Sequence, residues 1–521
     1  MTKSKSSKSS NSSKSKKHQS ILNLNTLLNN NDTTTKKSKK TSKQKPYISK
    51  LTKISLNSLE RQYNLDLYKD TITSFYALNS PITTYLVKYD DAESKRLIKN
   101  GFYNLELVPA YTFPTINIED SLKSIDLTFK LHQDLLKELK MKSIPKIVKY
   151  ASEDFTRGIR GFLDSRFKDL PINLSNGFVK LWEILHMFKL MEKSNTPTTT
   201  PSQTMNVFHI AEAPGQMVMC AKYYAEKKYP NIKNYEWRAN SLNPYNYDSK
   251  TKFVGLRDDY RLIKTNPQKW LWGSDNTGDI TRVHNIRSFK KYIDTKWLKQ
   301  GASLDLIIGD GGLSADTNAA YILQKLDLAQ VITVIACSSI GGSCVIKHFT
   351  SYMINKPETL EATSFFISFM YLYYIAFEEV NLFKPYTSDA TSGEFYVIGK
   401  GFKGIDENQM EKLYTILEKF KTNNAIFPRD AIPDTFMKQM YNFLDVLTKY
   451  NIKGYEKQNY LLKCYKESQP NTKTNTKSNT KSNTKSNESY NTMCKTFLNE
   501  KNIENILIPR YNQWIKMYEF E

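Results

Sequence analysis

Long apolar runs are missing from this sequence: no stretch reaches the roughly 18 residues, both uncharged and apolar, that a membrane-spanning helix needs. The N-terminus, MTKSKSSKSS, is basic but has no apolar segment behind it, which argues against a secretory signal. Cysteine is scarce, five in 521 residues (Cys220, Cys337, Cys344, Cys464 and Cys494). None forms a CxxC pair and no histidine stands at zinc-ligand spacing, so reduced thiols in a cytoplasmic or nuclear setting are expected, with no structural metal. The phosphate-cradling pattern GxxxxGK[ST] is absent, and the match to GxGxxG, GKGFKG (399–404), begins inside the strand-like EFYVIGKGF rather than between a strand and a helix, which disfavours NAD and ATP.

What the chain does have is positive charge, +23 in total. Thirteen lysines and one aspartate lie in residues 1–50, which leaves about +11 to the remaining 471 residues. A moderately basic body of this kind fits a polyanionic partner without identifying one. Residues 1–48 are mostly Lys, Ser, Thr and Asn with almost nothing to bury, and disorder is expected there. The segment 471–487 (NTKTNTKSNTKSNTKSN) repeats a four-residue unit and carries no core-forming side chain.

Between the two lies an ordered body. In 120–141, Leu122, Ile125, Phe129, Leu136 and Leu139 fall at helical spacing, with His132 on the same stripe as a packed core residue. A second helix is expected over 176–193, and strand and helix patterns then alternate from 205 onward. MNVFHIAE (205–212), YEWRANS (235–241), the run before Asp310, and GGSCVIKHF (341–349) read as strands with helices between them. EEVNLFKP (378–385) and EFYVIGKGF (394–402) follow one another with no helix between, which predicts an antiparallel edge. The expected class is therefore α/β: a Rossmann-like, mainly parallel sheet with helices on both faces. A largely helical extension is expected over 49–175 and a helical appendage over 404–521.

Chemistry gathers at the ends of these strands. SLDLIIGDGGLS (303–314) runs an aliphatic strand straight into Asp310 and two glycines, at the sheet edge where open α/β folds bind ligands. An Asx-capped turn would read the same way. HIAEAPGQM (209–217) ends a strand in Pro214-Gly215 and opens a helix, whose N-terminus favours a polar or anionic group. Lys347 ends the strand VIKHF, where an unpaired lysine would be costly, Glu394 opens another strand, and Lys180 lies on the helix before the first. Each of the four charges has a plain surface reading; together they make a candidate site at one edge of the sheet.

AEAPG, TGDITRVHNIRSFKKYI (277–293), IIGDGGLS (307–314), GGSCVIKHF (341–349) and LFKPYTSDATSGEFYVIGKGF (382–402), in this order, resemble the RrmJ/FtsJ-type RNA ribose 2′-O-methyltransferases. Among these the resemblance is strongest to the eukaryotic-type (adrift-type) mRNA cap 2′-O-methyltransferases, and it covers residues 176–403. It implies a Lys-Asp-Lys-Glu tetrad of Lys180, Asp310, Lys347 and Glu394. It also implies S-adenosyl-L-methionine as cofactor and capped mRNA as the RNA partner, with Lys347 as general base, Asp310 orienting both lysines, and Glu394 helping to hold the base. Glu212, Ala213, Pro214 and Gly215 would line the methionine end of the cofactor, Asp279 its adenine, and Asp310 would serve this side as well.

Two departures stand out. Gln216-Met217 replaces the glycine and aromatic residue usual after Pro-Gly, and YEWRANS lacks an acidic residue for the ribose hydroxyls. Arg257, Arg261 and Arg282 are candidates for phosphate contacts. Two other readings remain at this level: a ribosomal or transfer RNA 2′-O-methyltransferase, and an inactive cap- or RNA-binding subunit that keeps the fold as a platform.

Overall fold

The computed structural model describes residues 84–87, 101–111, 119–145, 148, 155–171, 174–192, 204–246, 258–312, 319–350, 359–422, 424–468 and 500–520. The expectations for residues 1–48, for the repeat at 471–487 and for Arg257 lie outside these residues.

The strands are β1 (Thr84–Val87), β2 (Thr204–Ile210), β3 (Asn234–Ala239), β4 (Leu306–Gly309), β5 (Ser343–Phe349), β6 (Phe377–Phe383) and β7 (Glu394–Phe402). The main helices are α1 (Glu119–Glu138), α2 (Phe155–Arg166), α3 (Asn176–Phe188), α4 (Gln216–Lys228), α5 (Val283–Lys296), α6 (Ala319–Cys337), α7 (Thr359–Ala376), α8 (Glu407–Lys419), α9 (Asp434–Ser468) and α10 (Glu500–Met517). Every residue from Thr363 to Ala376 in α7 is buried, as expected of a helix that is apolar all round. No described helix is long and apolar enough to cross a membrane.

The sheet has seven strands in the order β1-β6-β7-β5-β4-β2-β3. β3, β2, β4 and β5 run parallel, and β7 runs antiparallel to both β5 and β6. The antiparallel pair expected at the edge is thus arranged differently. β7 is inserted between β5 and β6, so it is an interior strand. The edge itself is β1, antiparallel to β6, drawn from the extension expected to be helical. An interior position explains why β7 is apolar on both faces, with Glu394 to Gly399 all buried.

Alternation along the strands sends side chains into two cores. Leu306, Ile308 and Val345 join Trp182, Phe178 and Trp514 on one face, while Ile307, Cys344 and Ile346 join α6 and α7 on the other. Helix α10 therefore shares a core with α3 instead of forming a separate lobe: Trp182 lies 4.5 Å from Phe520, ring to ring, and its indole donates to the Tyr518 carbonyl at 2.8 Å.

β2 has β3 on one side and β4 on the other, so the chain changes its direction of travel across the sheet between β2 and β4. The loops after two such strands diverge and leave a crevice beyond their C-terminal ends. Ile210 and Gly309 are paired there, and Glu212 and Asp310 follow them.

Candidate active site

Local sequence places each charged side chain at this crevice. Ser175 caps α3, its Oγ accepting from the Phe178 amide at 3.1 Å. This starts the helix beside Asp310, so closely that a Cβ on Gly177 would stand 3.5 Å from Asp310 Oδ2. Lys180 follows one turn later on the face turned to the sheet. Lys347 alternates with Val345 on the same face of β5, and Phe349 at the end of that strand pairs with Glu394 at the start of β7. Four residues spread over more than 200 positions are thereby gathered at one edge.

They form two ion pairs. Lys347 Nζ lies 2.7 Å from Asp310 Oδ1, with side chains 12% and 29% exposed. Lys180 Nζ donates to Glu394 Oε1 at 2.5 Å, with side chains 10% and 9% exposed. This differs from the expectation that Asp310 orients both lysines and that Glu394 holds Lys347. Each carboxylate takes one amine, because β7 opens on the far side of β5 from β4. The charge of Glu394 still reaches Lys347. Burial lowers the affinity of Lys347 for its proton, but Asp310, Glu394 and Glu212 outweigh this and hold the ammonium above the ordinary lysine value. For Glu394, burial raises the carboxyl and Lys180, Lys347 and Lys384 pull it down to about 2.

Sequence reasoning missed several partners. Lys384 is buried and donates to the Glu394 carbonyl at 2.9 Å, the Ser392 carbonyl at 2.8 Å and Ser388 Oγ at 3.1 Å. Ser388 Oγ in turn donates to Glu394 Oε1 at 3.0 Å. Both residues lie in the quoted LFKPYTSDATSG, but no local pattern shows that its turn folds back on Glu394. Gln330 on α6 accepts from the Gly311 amide at 3.2 Å and donates to the Lys347 carbonyl at 3.2 Å, tying the glycine loop to β5. A Cβ on Gly311 would meet Gln330 Oε1 at 2.4 Å, which accounts for the first glycine after Asp310.

The other wall of the crevice is the β2–α4 turn. Gly215 caps α4 at φ +104°, a conformation that favours glycine. Glu212 is buried; Oε1 accepts from the Met217 amide at 2.6 Å, and Oε2 has no donor. Burial and the Asp310 charge raise its carboxyl well above the ordinary value. Ala213 packs against the small apolar cluster around Trp237 and Trp270. Asn240, directly after β3, accepts at its carbonyl from the Glu212 amide at 3.0 Å, and its Oδ1 is a second buried acceptor without a donor. Of the two departing residues, Met217 is fully buried in the core shared with α3, and the Gln216 amide donates to the Tyr260 hydroxyl.

Asp279 closes an Asx turn on Thr281 (2.9 Å to the amide) and lies 3.3 Å from Arg282 Nε. Gly278 before it has φ +72°, and a Cβ there would stand 1.7 Å from the Ser241 carbonyl oxygen, so only glycine fits. Arg282 also pairs with Asp275 at 2.7 Å, and Arg261 adopts a left-handed conformation before a single helical turn at 262–265. Among the described residues no group of His, Cys, Asp and Glu could hold a metal ion, and Cys220, Cys337 and Cys344 are free and buried.

Comparison with known proteins points the same way. Residues 174–402 match the model of the FtsJ-like methyltransferase family. An uncharacterized protein of Acanthamoeba polyphaga mimivirus is 30% identical over 59% of this chain and 36% of its own length. Cap-specific mRNA (nucleoside-2′-O-)-methyltransferase 2 of Pongo abelii is 28% identical over 56% of this chain and 36% of its own. A probable methyltransferase of African swine fever virus is 28% identical over 52% of this chain and 61% of its own. The chain thus spans about a third of the length of the first two relatives. With the switch-point crevice and the strand-end charges in place, residues 174–402 are similar to the FtsJ-like methyltransferases.

Proposed function

We propose that this protein transfers a methyl group from S-adenosyl-L-methionine to the ribose 2′-hydroxyl of a cap-proximal nucleotide of mRNA. The observation that carries the reading is the pair of nearly buried ion pairs, Lys347–Asp310 and Lys180–Glu394, at the switch point of the sheet. Burying charge in pairs is a poor way to gain stability, and such groups concentrate where chemistry needs them.

The crevice suits the cofactor. Glu212 Oε2 and Asn240 Oδ1 are buried acceptors without donors, a costly state that an ammonium and a ribose hydroxyl would relieve. Asn240 stands where the missing acidic residue was looked for, so the departure in YEWRANS leaves an acceptor in place. Bound there, the cofactor supplies an electrophilic methyl group on a sulfonium cation.

A ribose hydroxyl is a poor nucleophile until its proton is taken. Lys347 is the base in this reading, and a base must first be neutral. Its carboxylate neighbours favour the ammonium; a further positive charge in the crevice opposes that form and releases the proton. Asp310 fixes the direction of the Lys347 amine, and Lys180, held by Glu394, adds a second cation facing the reacting oxygen. Much of the rate then comes from positioning. Cap specificity rests on the 28% identity to a named cap 2′-O-methyltransferase and on the TGDIT and LFKP segments.

The test uses labelled cofactor with short RNAs that differ only in carrying a methylated cap. Label on capped RNA alone is expected. Equal label on uncapped RNA would move the substrate to ribosomal or transfer RNA, and RNA binding without label would leave a binding subunit.

A further inference from the structure

One buried carboxylate is not used by this chemistry. Glu183 lies on α3, one turn after Lys180, and is completely buried. Its Oε2 accepts from the Tyr386 amide at 2.7 Å, and its Oε1 from the Thr387 amide at 3.0 Å and the Trp514 indole at 2.9 Å. Three separate pieces of chain meet on this one group: α3, the β6–β7 turn and α10. Burial pushes the carboxyl up to about 7 against the donors from Thr387, Trp514 and Tyr386, so solvation contributes little to holding it in place.

The turn it grips is the one that delivers Glu394. Residues 384–393 leave β6, carry Ser388 back onto Glu394 Oε1 and then enter β7. The turn is held from a second side by Asn451 on α9, whose amide donates to the Ala390 carbonyl at 2.6 Å and the Ser392 carbonyl at 2.9 Å. It is held from within by Lys384. Glu183 links the turn directly to the helix that carries Lys180.

We infer that Glu183 is a positioning residue for the transfer: it locks the 385–388 turn and α10 to α3, and so fixes the Lys180–Glu394 pair against Lys347. This rests on the methyl-transfer reading above. It gives the C-terminal segment 500–520 a part in the active site through Trp514, although that residue lies more than 100 positions beyond β7 in the chain. A side chain serving only the fold would change how much protein is folded, without changing turnover per folded molecule or the mobility of the turn.

The experiment compares wild type, Glu183→Gln and Trp514→Phe in the full chain. It measures amide hydrogen exchange over residues 385–388, cofactor affinity, and kcat per folded protein. Glu183→Gln places an NH2 against amide donors; exchange there is expected to rise about tenfold or more, with kcat falling about 10–100-fold. Cofactor affinity should stay within about twofold. Trp514→Phe keeps the packing and removes one donor, and about a three- to tenfold loss of kcat is expected even if Glu183→Gln does not fold. Unchanged exchange, or faster exchange with unchanged kcat, would overturn the inference. A wild type that methylates no RNA would overturn the functional reading and the role of Glu183 together, while the exchange data would still report whether the carboxylate holds the turn.

Discussion

The crevice at the sheet's C-terminal edge and the surface between α5 and α8 hold charges in opposite ways. At the C-terminal edge, Lys180–Glu394 is enclosed, with both side chains at or below 10% exposure. Between α5 and α8, Arg287 and Glu411 form a two-pronged pair at 2.5 Å, with Arg287 4.2 Å above the Tyr414 ring, yet the two side chains remain 46% and 50% exposed. Lys290–Asp294 beside it is similarly open. Geometry does not separate the two places, since the exposed pair is as short as the buried one. Desolvation does. Water already satisfies the exposed charges, so their pairing is worth little. The enclosed charges depend on each other, and a fold that accepts this cost is poised to spend it on a reaction.

The comparison can be broken most strongly at Lys347. Replacing it with alanine removes the proposed base and should lower kcat by roughly 10²–10⁴-fold while cofactor binding stays nearly intact. Turnover close to wild type in a labelled-methyl assay would remove Lys347 from that role. Lys180→Met tests the cost of enclosure: Glu394 loses its direct partner, and chemical denaturation should show a loss of about 3–5 kcal/mol.

Acid sharpens the contrast further. The Glu394 carboxyl sits at about 2, below its ordinary 4.5, so its pairing adds stability that is complete above that ordinary value and is lost as pH falls towards 2. The stability of Glu394→Gln should therefore depend less on pH between about 4.5 and 2, as followed by circular dichroism. The smallest effect is expected between α5 and α8. Arg287→Gln should cost at most about 1 kcal/mol in denaturation and leave methyl transfer unchanged.

Much of the site was legible because strand ends are local features. Asp310 after an aliphatic run, Lys347 at the end of VIKHF and Glu394 at the start of EFYV each announce a position at the sheet edge. Their partnership was not legible. Which amine meets which carboxylate depends on β7 lying beyond β5, a fact of topology that no spacing carries. β1 escaped notice because four residues, TYLV, are too few to show a period. Nothing in the sequence around Glu183 sets it apart from other helical charges. Its burial comes from Trp514, 331 positions away, which was read as part of an appendage.

The position of the transferred methyl group tests the proposed activity most directly. Capped RNA incubated with labelled cofactor, digested to nucleosides and analysed by mass spectrometry should yield a ribose 2′-O-methyl nucleoside next to the cap, absent when that nucleotide is 2′-deoxy. A methyl found on a base, or retained on the 2′-deoxy substrate, would contradict it.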